Sequence, residues 1–513
     1  MGSVKEIKRF GANRTIRKPY VGFPPKGSKL NLFDALAPSA LALAVINDTS
    51  IKLDFTVNST NADGHKIERS TDGTTYTEIG SVTGTTATYT DTGLTEGTRY
   101  YYKARAYKAS AYSAYCTAVD TYAGGWYGIE RDNTIASPDW TRIASSAAQM
   151  TLHASLPVHA LFKPCVMNVD KTVNYYLKPD DFSKKIDGVT ASVITGADGN
   201  VMSHQSASYW KFTEKVGNVE RIKISHLPHT GWVEITPQFY SCYEGNVAGG
   251  KLNSISGVLA TTSVSETTFR GYARANGAGH EQQWIRPYSE LVHLFMVQFA
   301  TNNMQKPVNM TLTVDGYSQG GLGAGVTTAN ATEWNNFNGY KPFITNGACN
   351  TMPKHYGEVS VVVANFGGAG VNRTFSVPRF LYIENLFGHI WKWVDGVTIN
   401  NLASTREAYV FDNPAQFVDG SSVNGRLAGL LPNETVGYIA TVLFPEILPA
   451  ILAGNQNERY CDYYYAPALN TGWRALVSGG HADLGVVAGA FCAGTHAAAS
   501  GTDAYVGARL HVK

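Results

Sequence analysis

Period-two alternation of apolar and polar residues, broken at short intervals by turn residues, runs through most of this chain. That pattern restricts the fold to layers of short strands. Residues 50–57 (Ser-Ile-Lys-Leu-Asp-Phe-Thr-Val) put Ile51, Leu53, Phe55 and Val57 on one face, because successive side chains of a strand point to opposite sides of the sheet. Residues 65–70 lead into Thr71, Asp72 and Gly73, and Asp-Gly between strand-like runs signals a hairpin. Aromatic-rich runs follow at 209–212 and 239–243. The clearest helical pattern lies at 287–300, where Pro287 suits a first turn and Leu291, Leu294, Phe295, Gln298 and Phe299 trace an i, i+3, i+4 stripe. His293 falls off that stripe and is expected to face solvent or cap the helix. The fold class predicted is mainly β, or α+β, and 513 residues allow two to four domains.

Charge narrows the function. Only 16% of the residues are charged, against about 25% in an ordinary soluble chain, and Lys+Arg 42 nearly cancels Asp+Glu 40. A net +2 is too small to drive phosphate binding, so a nucleic-acid partner is not expected. No apolar run approaches the ~20 residues of a membrane-spanning helix, so membrane insertion is not expected either. Residues 1–7 lack the apolar core of a signal peptide, which predicts synthesis and retention in a cytoplasm. The six cysteines (116, 165, 242, 349, 461 and 492) form no C-x-x-C pair and are expected as buried free thiols. A surface of hydroxyls, amides and rings remains, and binding surfaces often have that composition.

Residues 1–36 differ from the rest. Eight Lys and Arg between Lys5 and Lys29 face only Glu6 and Asp34, and Pro19, Pro24 and Pro25 break any period. The segment reads either as a flexible basic tail or as an arm that orders against a neighbouring subunit. Residues 37–123 then carry Leu94, a turn with Gly97, and Tyr100 six residues after the Leu, followed by the alternation Tyr100, Tyr102, Ala104 and Ala106. This resembles the tyrosine corner and following strand of fibronectin type III domains, with Phe55 where that family usually carries Trp. The resemblance implies a β-sandwich spacer. Gly124 and Gly125 read as a hinge, 124–250 as a β-rich intermediate region, and 251–513 as the last domain.

Three motifs in the second half occur in a telling order. Gly388-His389-Ile390-Trp391-Lys392-Trp393 is followed by Ser478-Gly479-Gly480-His481-Ala482 and by Gly507-Ala508-Arg509. The set resembles the C-type lectin-like fold shared by formylglycine-generating enzymes and phage tropism determinants. With residues 269–274, 320–326, 383–393 and 461–465, the closer resemblance is to variable proteins of diversity-generating retroelements in tailed phages, over residues 126–513. It implies a virion protein, made in the host cytoplasm, that binds a bacterial surface glycan or protein. Other virion proteins would be held by the N-terminal arm, and a homo-oligomer, a trimer by preference, is implied.

In that family a reverse transcriptase rewrites adenines in the last coding segment, and AAC-derived codons still end in C. Such codons cannot encode Lys, Glu, Gln, Met or Trp. Those five types make up 69 of the 513 residues yet none occurs in 478–508, a blank with a chance of roughly 0.01 at the overall composition. Loops rich in Ala and Gly would also avoid long side chains. In the segment and just after it, Gly479, Gly480, Gly485, Gly489, Phe491, Val506, Gly507 and Arg509 read as framework. His481, Asp483, Leu484, Val486, Val487, Ala493, Thr495, His496, Ser500, Thr502, Asp503 and Tyr505 are the expected ligand-facing surface. With Tyr505 alone among aromatics, each site is expected to be shallow and to gain from avidity.

The enzymes of the fold are a poorer match. Cys461 and Cys492 are the only cysteines placed for a copper pair, and their flanking residues differ from that family's. His389, His481 and His496 form no H-x-x-x-H-x-E set. Asp395 and Asp462 are the carboxylates to weigh as metal ligands, and Pro179-Asp180-Asp181 reads as a turn. No enzyme activity, cofactor or metal is expected. A purely structural decoration or fibre protein is the alternative.

Overall fold

The computed structural model describes residues 33–146, 150–307, 331–366, 370, 372–467 and 471–513. The basic arm, apart from its last four residues, and the motif at 320–326 lie outside the described residues. The protein is mostly β, as the alternation predicts.

The N-terminal unit is a sandwich of two antiparallel sheets. One joins Ser39–Asn47, Ser50–Thr56 and Thr88–Thr92, and the other is built around Gly64–Ser70 and Arg99–Lys108. Ile51, Leu53 and Phe55 are buried as the period requires, and Val57 is half-buried against the same core. Tyr100, Tyr102, Ala104 and Ala106 all point inward. The tyrosine corner is formed: the Thr95 N–H donates to the Tyr100 hydroxyl at 2.9 Å. Phe55 fills its position against the buried ring of His65, 5.1 Å away. The Asp72 turn holds because its carboxylate accepts the N–H groups of Thr74 and Thr75 at 2.8 and 2.7 Å.

Gly124 and Gly125 take positive φ, but both are buried. Gly125 accepts from Ser225 at 2.9 Å and donates to Ser145 at 3.1 Å. The expected hinge is therefore hydrogen-bonded into the body that follows.

That body is one fabric. A seven-stranded sheet runs in the order Asp181–Lys185, Val173–Lys178, Phe162–Met167, Asn200–Gln205, Gln238–Ser241, Leu510–Val512, His280–Gln282. The expected boundary at residue 250 is thus crossed by strand pairing, with Phe239 opposite Val512 and Tyr240 opposite His511. Pairing between residues so far apart leaves no local trace in a sequence.

The helix Ile285–Phe299 lies in the same core as the five-stranded sheet containing Tyr127–Asp132 and the nine-stranded sheet containing Trp391–Asn401. It is buried nearly all round rather than along one stripe. The expectation for His293 is therefore wrong. Its ring is fully buried, with Nδ1 3.0 Å from the Nζ of Lys211, which also pairs with Glu290 at 2.7 Å. Burial holds the His293 pKa well below the usual imidazole range. Five cysteines are buried and Cys116 is half-buried, and all six are free thiols.

Candidate functional site

The site begins with the strand Trp391–Asn401, which is buried along almost its whole length. It pairs antiparallel with Gly472–Ser478, Lys392 facing Ser478, and parallel with Val506–Gly507, Trp391 facing Val506. The three motifs thus converge in neighbouring strands. Local bonds tie their turns together: Gly388 N–H donates to Gly479 O at 2.7 Å, and Ala482 N–H to His389 O at 3.0 Å.

Beneath these turns lies one buried anion. Glu244 takes Lys392 at 2.9 Å and the Nδ1 of His389 at 2.6 Å. His389 Nε2 accepts from the N–H groups of Phe343 and Ile344, both at 3.2 Å, so its proton belongs on Nδ1, pointing at Glu244. Burial alone would raise Glu244, but Lys392 and His389 outweigh it and hold the carboxyl at about 2. Burial, helped by the charge of Arg509, pushes Lys392 down to about 8 despite Glu244. The pair is unequal: Glu244 gains from Lys392, Arg509 and the His389 N–H together, whereas Lys392 has one carboxylate set against its own burial and the nearby charge of Arg509. His389 is therefore a positioning group.

Above the strands, residues 479–488 form a tight loop around the short 3₁₀ element Ala482–Val487. Gly480 and Gly485 sit at φ 72° and 49°, where a side chain would be strained. The buried amide of Gln305 donates to the carbonyls of Val486 and Ala488 at 2.6 and 2.5 Å. Asp462, fully buried, accepts the Phe491 N–H at 2.9 Å. A Cβ on Gly489 would lie 2.2 Å from its carboxylate, so only glycine fits.

Of the twelve residues expected to face a ligand, the structure brings four together. His481, Leu484, His496 and Tyr505 line a depression of about 260 Å³ with Trp391, Tyr465 and Ala466. The His481 ring stands 4.8 Å from Tyr505 and 5.9 Å from Trp391, and His496 is 6.4 Å from Trp391. Asp483 lies beside this group, 2.5 Å from His481 Nδ1. Burial lowers the His496 pKa, with Asp503 opposing, so its ring is mainly neutral at pH 7. Burial, reinforced by Asp503, raises the Tyr505 phenol. Both groups are then hydrogen-bonding surfaces rather than charges.

Ser500 and Thr502 are exposed, and Val486, Val487 and Asp503 are half-buried. Ala493 and Thr495 are corrections. Both are buried, because Ala493–Gly494 is a strand wedged between Gly472–Ser478 and Tyr463–Tyr465. The Thr495 hydroxyl meets that of Tyr464 at 2.8 Å, and neither residue can reach a ligand. Sequence reasoning missed Gln305, Glu244 and Trp334, whose ring packs 5.5 Å from His481. No local pattern marks them, since each acts across more than a hundred residues. Tyr465 ends the 461–465 stretch that carries part of the resemblance, which was a usable signal.

The carboxylates weighed as metal ligands have other partners. Asp395 takes Arg270 at 2.8 and 2.6 Å, and Arg270 also grips Asp419. Asp462 supports the 489–491 backbone as above. Cys461 and Cys492 are buried thiols whose pKa burial raises. Among the described residues, no three His, Cys, Asp or Glu side chains stand together in a way that could hold a metal ion.

No protein-family model matches this chain, and no curated protein does. Solved structures similar to part of it include fibronectin type III domains. A Fn3-like protein from Clostridium thermocellum is 26% identical, with 17% of this chain matched to 90% of that one and a TM-score of 0.16. A multidomain fragment of titin is 18% identical over 17% of this chain and 31% of its own, also at 0.16. The chain thus spans under a third of that fragment. The class defined is a β-rich protein with a fibronectin type III-like unit, the sandwich that the tyrosine corner closes.

Proposed function

We propose that this is a phage virion protein that binds the bacterial host surface through a C-type lectin-like head. The fibronectin-like sandwich serves as spacer and the basic N-terminal segment as attachment to other virion proteins. The observation that carries the reading is the gathering of His481, Leu484, His496 and Tyr505 around one depression, the first two on a loop whose backbone Gln305 holds independently of those side chains. A rigid main chain with replaceable side chains is what a diversified binding surface needs. With two buried positions removed, the proposed surface comprises His481, Asp483, Leu484, Val486, Val487, His496, Ser500, Thr502, Asp503 and Tyr505. Binding through a shallow depression gains from several copies on one particle, which fits a homo-oligomer.

The test is competition. Purified protein should block attachment of the phage to its host, and exchanging the side chains of 481–505 should change which strain is bound. Binding that ignores the exchange overturns the reading. The alternative of a structural fibre or decoration protein is favoured by one observation. Leu427, Leu430, Val436 and Ile451 are exposed on the strands at and near the two ends of the nine-stranded sheet, a composition suited to subunit contacts. Failure to compete, with those residues protected in the assembled particle, would favour it.

A further inference from the structure

A second, wide cleft shares no side chain with the depression above. It holds about 900 Å³ between the end of the helix Ile285–Phe299, the hairpin of Phe162–Met167 and Val173–Lys178, and the start of the strand Tyr356–Val363. That volume falls in the usual range of small-ligand sites, roughly 300–1,000 Å³.

Its walls have a definite chemistry. Tyr176, Phe299, Tyr356 and Tyr382 contribute half-buried rings. Phe299 and Tyr356 meet edge-to-face at 5.2 Å, which fixes the angle between two of them. Arg142 and Lys163 are exposed at the rim, and no Asp or Glu lines the cleft. Neither cation is paired with a carboxylate among the described residues. Arg142 spends one N–H on the carbonyl of Gln298 at 2.7 Å, which steadies the guanidinium and leaves donors for a ligand. Lys163 stands 5.7 Å over the ring of Tyr176. The side chain of His355 is fixed by Gln298 at 3.1 Å, and burial holds its pKa at about 4, so it offers a neutral hydrogen-bonding ring at pH 7.

We propose that this cleft is a second binding site, for a carboxylated saccharide, with rings stacking on the sugar faces and Arg142 and Lys163 taking the carboxylate. Flat rings match the C–H faces of pyranoses, the hydroxyls of Tyr356 and Tyr382 match their hydroxyls while that of Tyr176 is held by His204 at 3.0 Å, and two unpaired cations without an acid favour an anion. The proposal does not depend on the 481–505 surface.

The experiment is calorimetric titration of the full chain with tetragalacturonate, an α2,8-linked tetrasialic acid and a heparin tetrasaccharide, with maltotetraose as the neutral control. At least one acidic oligomer should bind saturably, more weakly as salt rises. Lys163→Glu and Arg142→Gln should each weaken it by about tenfold or more, the loss of one charge-assisted contact. Tyr356→Ala should weaken it too, while Tyr505→Ala leaves it unchanged. Lys163 is exposed, so its variant should keep the wild-type melting temperature. No binding by any acidic oligomer, equal binding of maltotetraose, or indifference to both charge changes overturns the proposal.

Discussion

Replacing Glu244 by Gln removes the one anion beneath the convergent motifs and keeps its shape. Glu244 and Lys392 are each about 1% exposed and 2.9 Å apart. Held at about 2 instead of 4.5, the ionised carboxyl adds stability that is fully present above pH 4.5 and lost as pH falls through 2. At about 1.4 kcal/mol per tenfold change in acidity, that is about 3 kcal/mol at neutral pH. Gln mimics the protonated acid, so Glu244→Gln should cost this amount. Breaking a buried pair by removing one partner costs about 3–5 kcal/mol in general, and the two figures agree. Urea unfolding at pH 7 measures the loss. Hydrogen exchange at the Gly388 and Ala482 amides locates it, since these bonds tie the 388–389 turn to the 479–482 loop. Adding Lys392→Met, which removes the stranded cation, should recover more than half. A loss below about 1 kcal/mol, or no recovery in the double variant, would refute the electrostatic account.

Four other outcomes are expected. Tyr100→Phe removes the bond from Thr95 and should cost about 1 kcal/mol of sandwich stability by thermal unfolding; a neutral result would mean the corner is only packing. Gln305→Ala should leave the fold intact but raise exchange at the amides of 485–488, with unchanged exchange counting against the clamp. Within the 481–505 surface, Tyr505→Ala should reduce host-cell binding at least tenfold and Thr502→Ala should change it less than twofold, measured on one strain. For pH, burial holds His159 and His511 at about 3 and His229 at about 4. Their folded values lie below the unfolded 6.5, so each contributes stability that is lost as pH falls below 6.5, at about 1.4 kcal/mol per pH unit. Buried His293 and His355 shift the same way, while Glu384, raised by burial to about 7, and Glu266 and Asp462, raised further, oppose them but are fewer. The melting temperature should therefore drop between pH 7 and 5, and a flat profile would contradict the assignment of neutral buried histidines.

Local signals were readable and distant ones were not. Ile51, Leu53 and Tyr100 announce their faces because a strand's period is two and a tyrosine corner spans six residues. The glycines at 479, 480 and 485 could be read as turn positions for the same reason. Ala493 and Thr495 were misread because their burial comes from neighbours at 464–465 and 477–478, a pairing no nearby residue encodes. His293 was misread because a one-sided stripe was assumed for a helix with sheets around it. Gln205, Glu244 and Gln305 look like ordinary polar residues until the fold buries them.

The contacts of Gln305 carry a wider consequence. Its amide addresses peptide carbonyls, which every amino acid supplies alike. The loop shape at 485–488 is thereby uncoupled from the identity of Val486 and Val487, while Gly485 is fixed by its backbone and Ala488 by burial. A mutation at 486 or 487 then alters chemistry without altering geometry, so variants can be compared as substitutions on a constant template. In an evolving population such a loop would show broad tolerance at its side chains and near-intolerance at a residue 180 positions upstream.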